Sequence, residues 1–194
     1  MATNTKQTRA EQLVTQAIEL FSKGGYRETS LQEIADQLGI TRPLFYYYFE
    51  SKEDLLWRII GHLGDDLLAR ARPIANTSDD PAETLRQLLE GHAETILNNA
   101  AAFKIYTAER HLVTGKRHRV MRQGEDAYLA LITDVIVRGQ EDGVFKKGDA
   151  HLLALLVTGM GNSMLRWYVP GGGRTLSEIV GLFVTAGVDA VRTS

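Results

Sequence analysis

Leu31-Gln-Glu-Ile-Ala-Asp-Gln-Leu-Gly-Ile-Thr-Arg-Pro-Leu-Phe-Tyr-Tyr-Tyr-Phe-Glu-Ser-Lys-Glu-Asp-Leu55 is the stretch that decides the fold. Leu31, Ile34, Ala35 and Leu38 recur at helical spacing, and Gly39 supplies the backbone freedom to end that helix. Thr41 can cap the next helix, with Pro43 in its first turn, so the pattern is a helix-turn-helix. The second helix, Thr41 to Phe49, must divide between a core face and an exposed one. Phe45, Tyr48 and Phe49 lie three and four apart and can pack inward against Ile34 and Leu38, which leaves Arg42, Pro43, Tyr46 and Tyr47 near solvent. A cation, an apolar ring and two phenols at the start of a helix suit a DNA major groove. Arg42 can donate to a guanine edge or a phosphate, Pro43 can meet a thymine methyl, and the tyrosines can bond phosphate oxygens. The alternative, all three tyrosines in the core, asks one helix to bury three adjacent residues and to find partners for their hydroxyls.

The run from Gly39 to Leu55 resembles the signature of the TetR family of bacterial transcriptional regulators, Gly-Val-Ser-Lys-Gly-Thr-Leu-Tyr-x-Tyr-Phe-x-Ser-Lys-Glu-x-Leu, without a gap. The resemblance implies DNA contacts from Thr41, Arg42, Pro43, Tyr46 and Tyr47, and phosphate contacts from Ser30 and Lys52 at helix starts. Pro43 stands where the family often has Gly. Leu44 stands where a Thr often reaches the DNA, so it is left out of the contact set.

With 194 residues and 44% hydrophobic content, the chain can bury a substantial core. No apolar run is long enough to span a bilayer, and Met1-Ala-Thr-Asn-Thr-Lys-Gln-Thr-Arg9 has no signal-peptide hydrophobic segment, so a cytoplasmic protein without a membrane partner is expected. The absence of cysteine excludes disulfides, thiolate zinc sites and cysteine nucleophiles. The net charge of −2 argues against a nucleic-acid partner, and residues 1–60 hold seven cations against eight anions. Placement answers part of the objection: Glu11, Glu33 and Asp54 each follow a Thr or Ser by three and can serve in capping, while Arg42 and Lys52 flank the groove-facing helix. The electrostatic footprint implied is small.

Residues 1–7 are polar and are expected to be mobile, with Thr8 to Glu11 as a capping box that opens a first helix ending at Gly24-Gly25. Ser30 to Glu33 repeats the box, and Ser51 to Asp54 makes a comparable start for a fourth helix, apolar on more than one side and stopped by Pro73. Asn76-Thr-Ser-Asp-Asp-Pro81 marks a boundary. Further helices are predicted over about residues 82–98, 101–113, 119–142, 149–168 and 176–191, with Gly115, Gly143 and Pro170-Gly171-Gly172-Gly173 between them. The expected fold is all-α with about nine helices: a three-helix DNA-binding head over residues 1–50, a connector over 51–72, and a larger effector-binding and dimerisation domain over 73–194. The last two helices are apolar around much of their circumference, and Gly159, Gly161, Gly181 and Gly187 permit close approach. Part of that surface is expected to meet a second copy in a homodimer, as the family resemblance also implies; burial wholly within one chain is the alternative.

No catalytic or metal constellation emerges, and no cofactor is expected. His62, His92, His111, His118 and His151 show no paired ligand spacing, and there is no P-loop or Gly-x-Ser-x-Gly elbow. His92, Asn98, Tyr106, Arg110, His111, Asn162 and Trp167 place polar groups among apolar ones, a mix that suits either an effector cavity or ordinary helix seams. Leu165 to Gly172, with Ser177 and Ile179, resembles a C-terminal pattern of TetR-like regulators of lipid and sterol catabolism, which implies a lipophilic effector such as an acyl-CoA thioester. The sequence thus reads as a dimeric repressor of a palindromic double-stranded operator, released by a small molecule. The rivals are a helical small-molecule carrier without DNA binding, and an enzyme using the histidines of the middle helices.

Overall fold

In the computed structural model, which describes residues 2–76, 78–169 and 171–193, nine α-helices account for the described regular structure. They are α1 (Ala2–Gly24), α2 (Leu31–Gln37), α3 (Arg42–Tyr48), α4 (Lys52–Ala75), α5 (Pro81–Asn98), α6 (Ala100–Glu109), α7 (Gly115–Glu141), α8 (Ala150–Ser163) and α9 (Leu176–Val191). Short 3-10 turns follow α6 and α8, and one isolated bridge pairs Phe145 with Arg192.

The chain divides into two compact units, residues 1–63 with 101–119, and residues 64–100 with 120–194. In the first, the α1 residues Leu13, Ala17 and Phe21 pack in a core with Ile34, Ala35, Phe45, Phe49, Leu55, Leu56 and Ile59, all at most 5% exposed. Burial of this many large apolar side chains is what outweighs the ordering of α2 and α3, seven residues each, neither of which would persist alone. Gly25, at φ +90, ends α1 and sends its N–H back to the Phe21 carbonyl at 3.0 Å. In the second unit, α5 packs on α8 and α9 around Leu85, Leu89, Ile96, Ala154, Val157 and Val184.

Several boundaries differ from the sequence reading. α1 begins at Ala2, so Thr8 is interior to the helix; its side chain, and with it the proposed capping box, lies outside the described residues. Nothing between Ala2 and Lys23 breaks a helix, and the segment expected to be mobile simply extends it. Pro73 does not stop α4: a proline in the last turn forfeits one N–H bond, and Asn76 closes the end by donating to the Arg72 carbonyl at 3.3 Å. α7 starts at Gly115, which sits at φ +62, and not at residue 119. Pro170, placed in a turn by the sequence, lies outside the described residues.

Candidate nucleic-acid interface

The turn between α2 and α3 is built by local chemistry. Ser30 accepts from the Glu33 N–H at 3.1 Å while the Glu33 carboxylate accepts from the Ser30 N–H at 2.6 Å, a complete capping box, and those bonds hold Glu33 below the usual carboxylate range. Gly39 reverses the chain at φ +60, and the Ile40 N–H returns to the Ala35 carbonyl at 3.0 Å. Thr41 then caps α3, accepting from the Leu44 N–H at 3.4 Å.

α3 is anchored from beneath by Phe45, fully buried, and Phe49, 5% exposed, whose ring centroids lie 5.8 Å apart. Arg42, Pro43, Tyr46 and Tyr47 are exposed, Tyr46 by 43% and Tyr47 by 61%. The Arg42 guanidinium lies 5.7 Å from the Tyr46 ring centroid and donates to the Tyr46 hydroxyl at 3.4 Å, which presents cation and phenol together. Tyr48 corrects the sequence reading: it is half-buried, edge-on to Tyr47 at 5.1 Å, and not core. A seven-residue helix needs only Phe45 and Phe49 to fill its inward stripe, so Tyr48 falls at the margin. Leu44, left out of the contact set, is 39% exposed on the same helix. Its presence among Arg42, Pro43, Tyr46 and Tyr47 follows from helical spacing alone, the signal that the departure from the family pattern overrode.

Lys52 is placed differently from the other six residues. Its ammonium donates to the Arg27 carbonyl at 3.1 Å and sits 4.5 Å from the Tyr26 ring centroid and 5.8 Å from that of Phe21. Burial lowers its pKa, opposed by Glu53, Glu28, Glu109 and Glu33. Behind it, the Tyr26 hydroxyl and Glu109 Oε2 are buried without a hydrogen bond among the described residues. Burial first, then Glu53 and Glu109, push the Tyr26 phenol up to about 12.

The candidate effector residues fall in two places. Tyr106, Arg110 and His111 belong to the first unit, where the Arg110 guanidinium lies 5.0 Å from the Tyr106 ring centroid and His111 is exposed. His92, Asn162 and Trp167 belong to the second. His92 is a core group: its Nδ1 meets the Tyr128 hydroxyl at 2.8 Å, and the two rings stack at 5.6 Å. Burial brings the imidazole down to about 4 and pushes the Tyr128 phenol up. His92 Nε2 faces the Thr158 and Asn162 side of α8 yet completes no hydrogen bond among the described residues. Asn98, Asn162 and Trp167 are exposed.

These features form a helix-turn-helix with an exposed, aromatic second helix, and comparison with known proteins agrees. Residues 13–59 match the bacterial regulatory proteins of the tetR family, and residues 78–191 match the C-terminal domain of tetracyclin repressor-like proteins. The chain belongs to the TetR family. It is 29% identical to the HTH-type transcriptional repressor KstR2 of Rhodococcus jostii, over 97% of this chain and 94% of that one. The solved structure of the ketosteroid transcriptional regulator KstR2 of Mycobacterium tuberculosis superposes with a TM-score of 0.87 at 26% identity, covering 96% of each chain. AibR, solved with isovaleryl coenzyme A and operator DNA, shares the fold at 22% identity and a TM-score of 0.82, over 92% of this chain and 97% of that one. TetR proteins are transcriptional regulators rather than enzymes, and they bind operator DNA as dimers. Among the described residues, no helix of this TetR protein is long and apolar enough to cross a membrane.

Proposed function

We propose that this TetR protein is a cytoplasmic, non-catalytic repressor that binds a palindromic operator as a homodimer and is released by a lipophilic effector, with an acyl-CoA thioester as the leading class. The observation that carries the DNA reading is the exposed Arg42, Pro43, Tyr46 and Tyr47 surface of a helix locked in place by Phe45, Phe49 and the Thr41 cap. In this reading residues 1–50 are the DNA-binding domain, the fourth helix is the connector, and 73–194 dimerise and bind effector. Thr41, Arg42, Pro43, Tyr46 and Tyr47 meet the groove. Ser30 donates its hydroxyl proton to phosphate, and Lys52 offers the protons not engaged by Arg27.

Dimerisation through α8 and α9 is supported by Leu152, Leu155, Leu156 and Met160 on α8 and Leu182 on α9, all exposed in the single chain. Four apolar side chains on one surface of α8 need a partner, and an isologous pairing would set two copies of α3 on successive turns of one groove. The effector class is supported by the ketosteroid regulator KstR2 among the relatives and by the coenzyme A thioester bound to a protein of the same fold. Effector binding would favour a conformation in which the two α3 helices no longer match the operator, so effector and operator affinities would be reciprocally coupled. Titrating the DNA flanking the protein's own gene, with and without acyl-CoA thioesters, tests both parts. Binding of that DNA in preference to an unrelated duplex is expected, and no preference would defeat the regulator reading in favour of the carrier.

A further inference from the structure

Residues 1–60 hold seven cations against eight anions, but the fold places residues 101–119 in the same compact unit. Those residues contribute Lys104, Arg110, Lys116, Arg117 and Arg119 against Glu109 alone, which turns seven cations facing eight anions into twelve facing nine. Most of the added charge lies at the corner where α6 gives way to α7. Its location is fixed by Arg117, whose Nη2 donates to Asp54 Oδ1. The other oxygen of Asp54 accepts the N–H of Glu50, two residues beyond the end of α3, at 3.2 Å, and the Asp54 N–H donates to Ser51 Oγ at 3.0 Å. A single carboxylate therefore ties the corner to the segment leaving the DNA-facing helix.

The neighbours of Arg117 on α7, namely Lys116, His118 and Arg119, are exposed and pair with no carboxylate among the described residues. Lys116 and Arg119 are three apart and share one face of the helix. Unpaired cations held next to the DNA-binding element are what counterion release requires, whereas the exposed cations Lys23 and Arg86 are neutralised by Glu19 and Glu83 on their own helices. We infer that the Lys116 and Arg119 corner is a second DNA contact, bonding backbone phosphates that flank the operator. It carries no base readout. Its effect is affinity that does not depend on sequence, and it makes a head with few cations of its own competent to bind a polyanion.

The inference rests on the DNA-binding reading, and the test separates the two. Lys116→Gln/Arg119→Gln and the control Arg174→Gln, at another exposed cation, are compared with the parent protein on its own upstream DNA, once as a duplex trimmed to the operator and once with long flanks. Affinity is measured across salt. Loss of two phosphate contacts per protomer is expected to shallow the slope of log affinity against log salt by about 3.6 per dimer on the long duplex. The same change narrows the affinity drop between about 50 and about 200 mM salt by roughly a hundredfold. The trimmed duplex and the Arg174 control are expected to show little change, and the preference for operator over unrelated DNA is expected to persist. An unchanged slope on the long duplex, or an equal loss on both duplexes, would overturn the flanking contact while leaving the regulator reading intact. Failure of the parent protein to bind either duplex would instead defeat that reading itself.

Discussion

Lowering the pH from 7.5 to 5 is expected to destabilise the second unit through His92. Its imidazole is held down to about 4 by burial, while the unfolded chain binds the proton near 6.5. Between those values the unfolded state carries more protons, so stability is full above 6.5 and is lost as pH falls toward 4. The complete difference corresponds to roughly 3 kcal/mol, of which about 2 kcal/mol is lost by pH 5. The hydrogen bonds that hold the carboxylates Glu33, Glu83 and Glu178 low are the same in parent and His92 variant, so their share of the pH dependence cancels in the comparison. Replacing His92 with Gln, which keeps a polar group opposite Tyr128, is expected to remove this part of the pH dependence while lowering stability at pH 7.5. Urea unfolding at pH 7.5, 6 and 5 for parent and variant measures the difference, and parallel pH profiles would refute the burial argument.

Gly139→Ala is expected to cost several kcal/mol, because a Cβ there would run into the buried Phe145 ring; thermal melting checks it, and a melting point within a degree of the parent would contradict the packing. Tyr48→Ala is expected to cost only about 1 kcal/mol, since that ring is half-buried; a loss typical of a core aromatic in chemical denaturation would return Tyr48 to the core. Leu156→Asp, on the exposed face of α8, is expected to give a folded monomer by sedimentation and to weaken operator binding; a persistent dimer would place the interface elsewhere.

What the sequence made legible follows the range of the interactions concerned. The Ser30 box, the Gly39 reversal and the Thr41 cap each involve residues within four or five positions of one another, and all three stand in the structure. The division of α3 was legible at Phe45, Phe49, Tyr46 and Tyr47 because helical spacing fixes opposite faces. Tyr48 was misplaced because periodicity cannot say how wide a core the neighbours will offer. The start of α1 is illegible for the opposite reason: Thr8 to Glu11 has a favourable capping sequence, yet the residues before it all tolerate a helix and extend α1 to Ala2. Lys52 is legible in the sequence as a cation at a helix start, but its setting over Tyr26 and beside the Arg27 carbonyl depends on chain 25 residues away. The grouping of residues 101–119 with the head depends on contacts such as Arg117 with Asp54, 63 positions apart, for which no local pattern exists.

The central claim is that the outward surface of α3 reads DNA, and the most direct measurement is operator affinity of Arg42→Ala and Tyr47→Ala by fluorescence anisotropy on the protein's own upstream DNA. Both side chains are exposed, so the thermal melt is expected to stay within about 0.5 kcal/mol of the parent while operator affinity falls about tenfold or more for each. Variants that melt like the parent and bind the operator as tightly would show that α3 is not the reading helix.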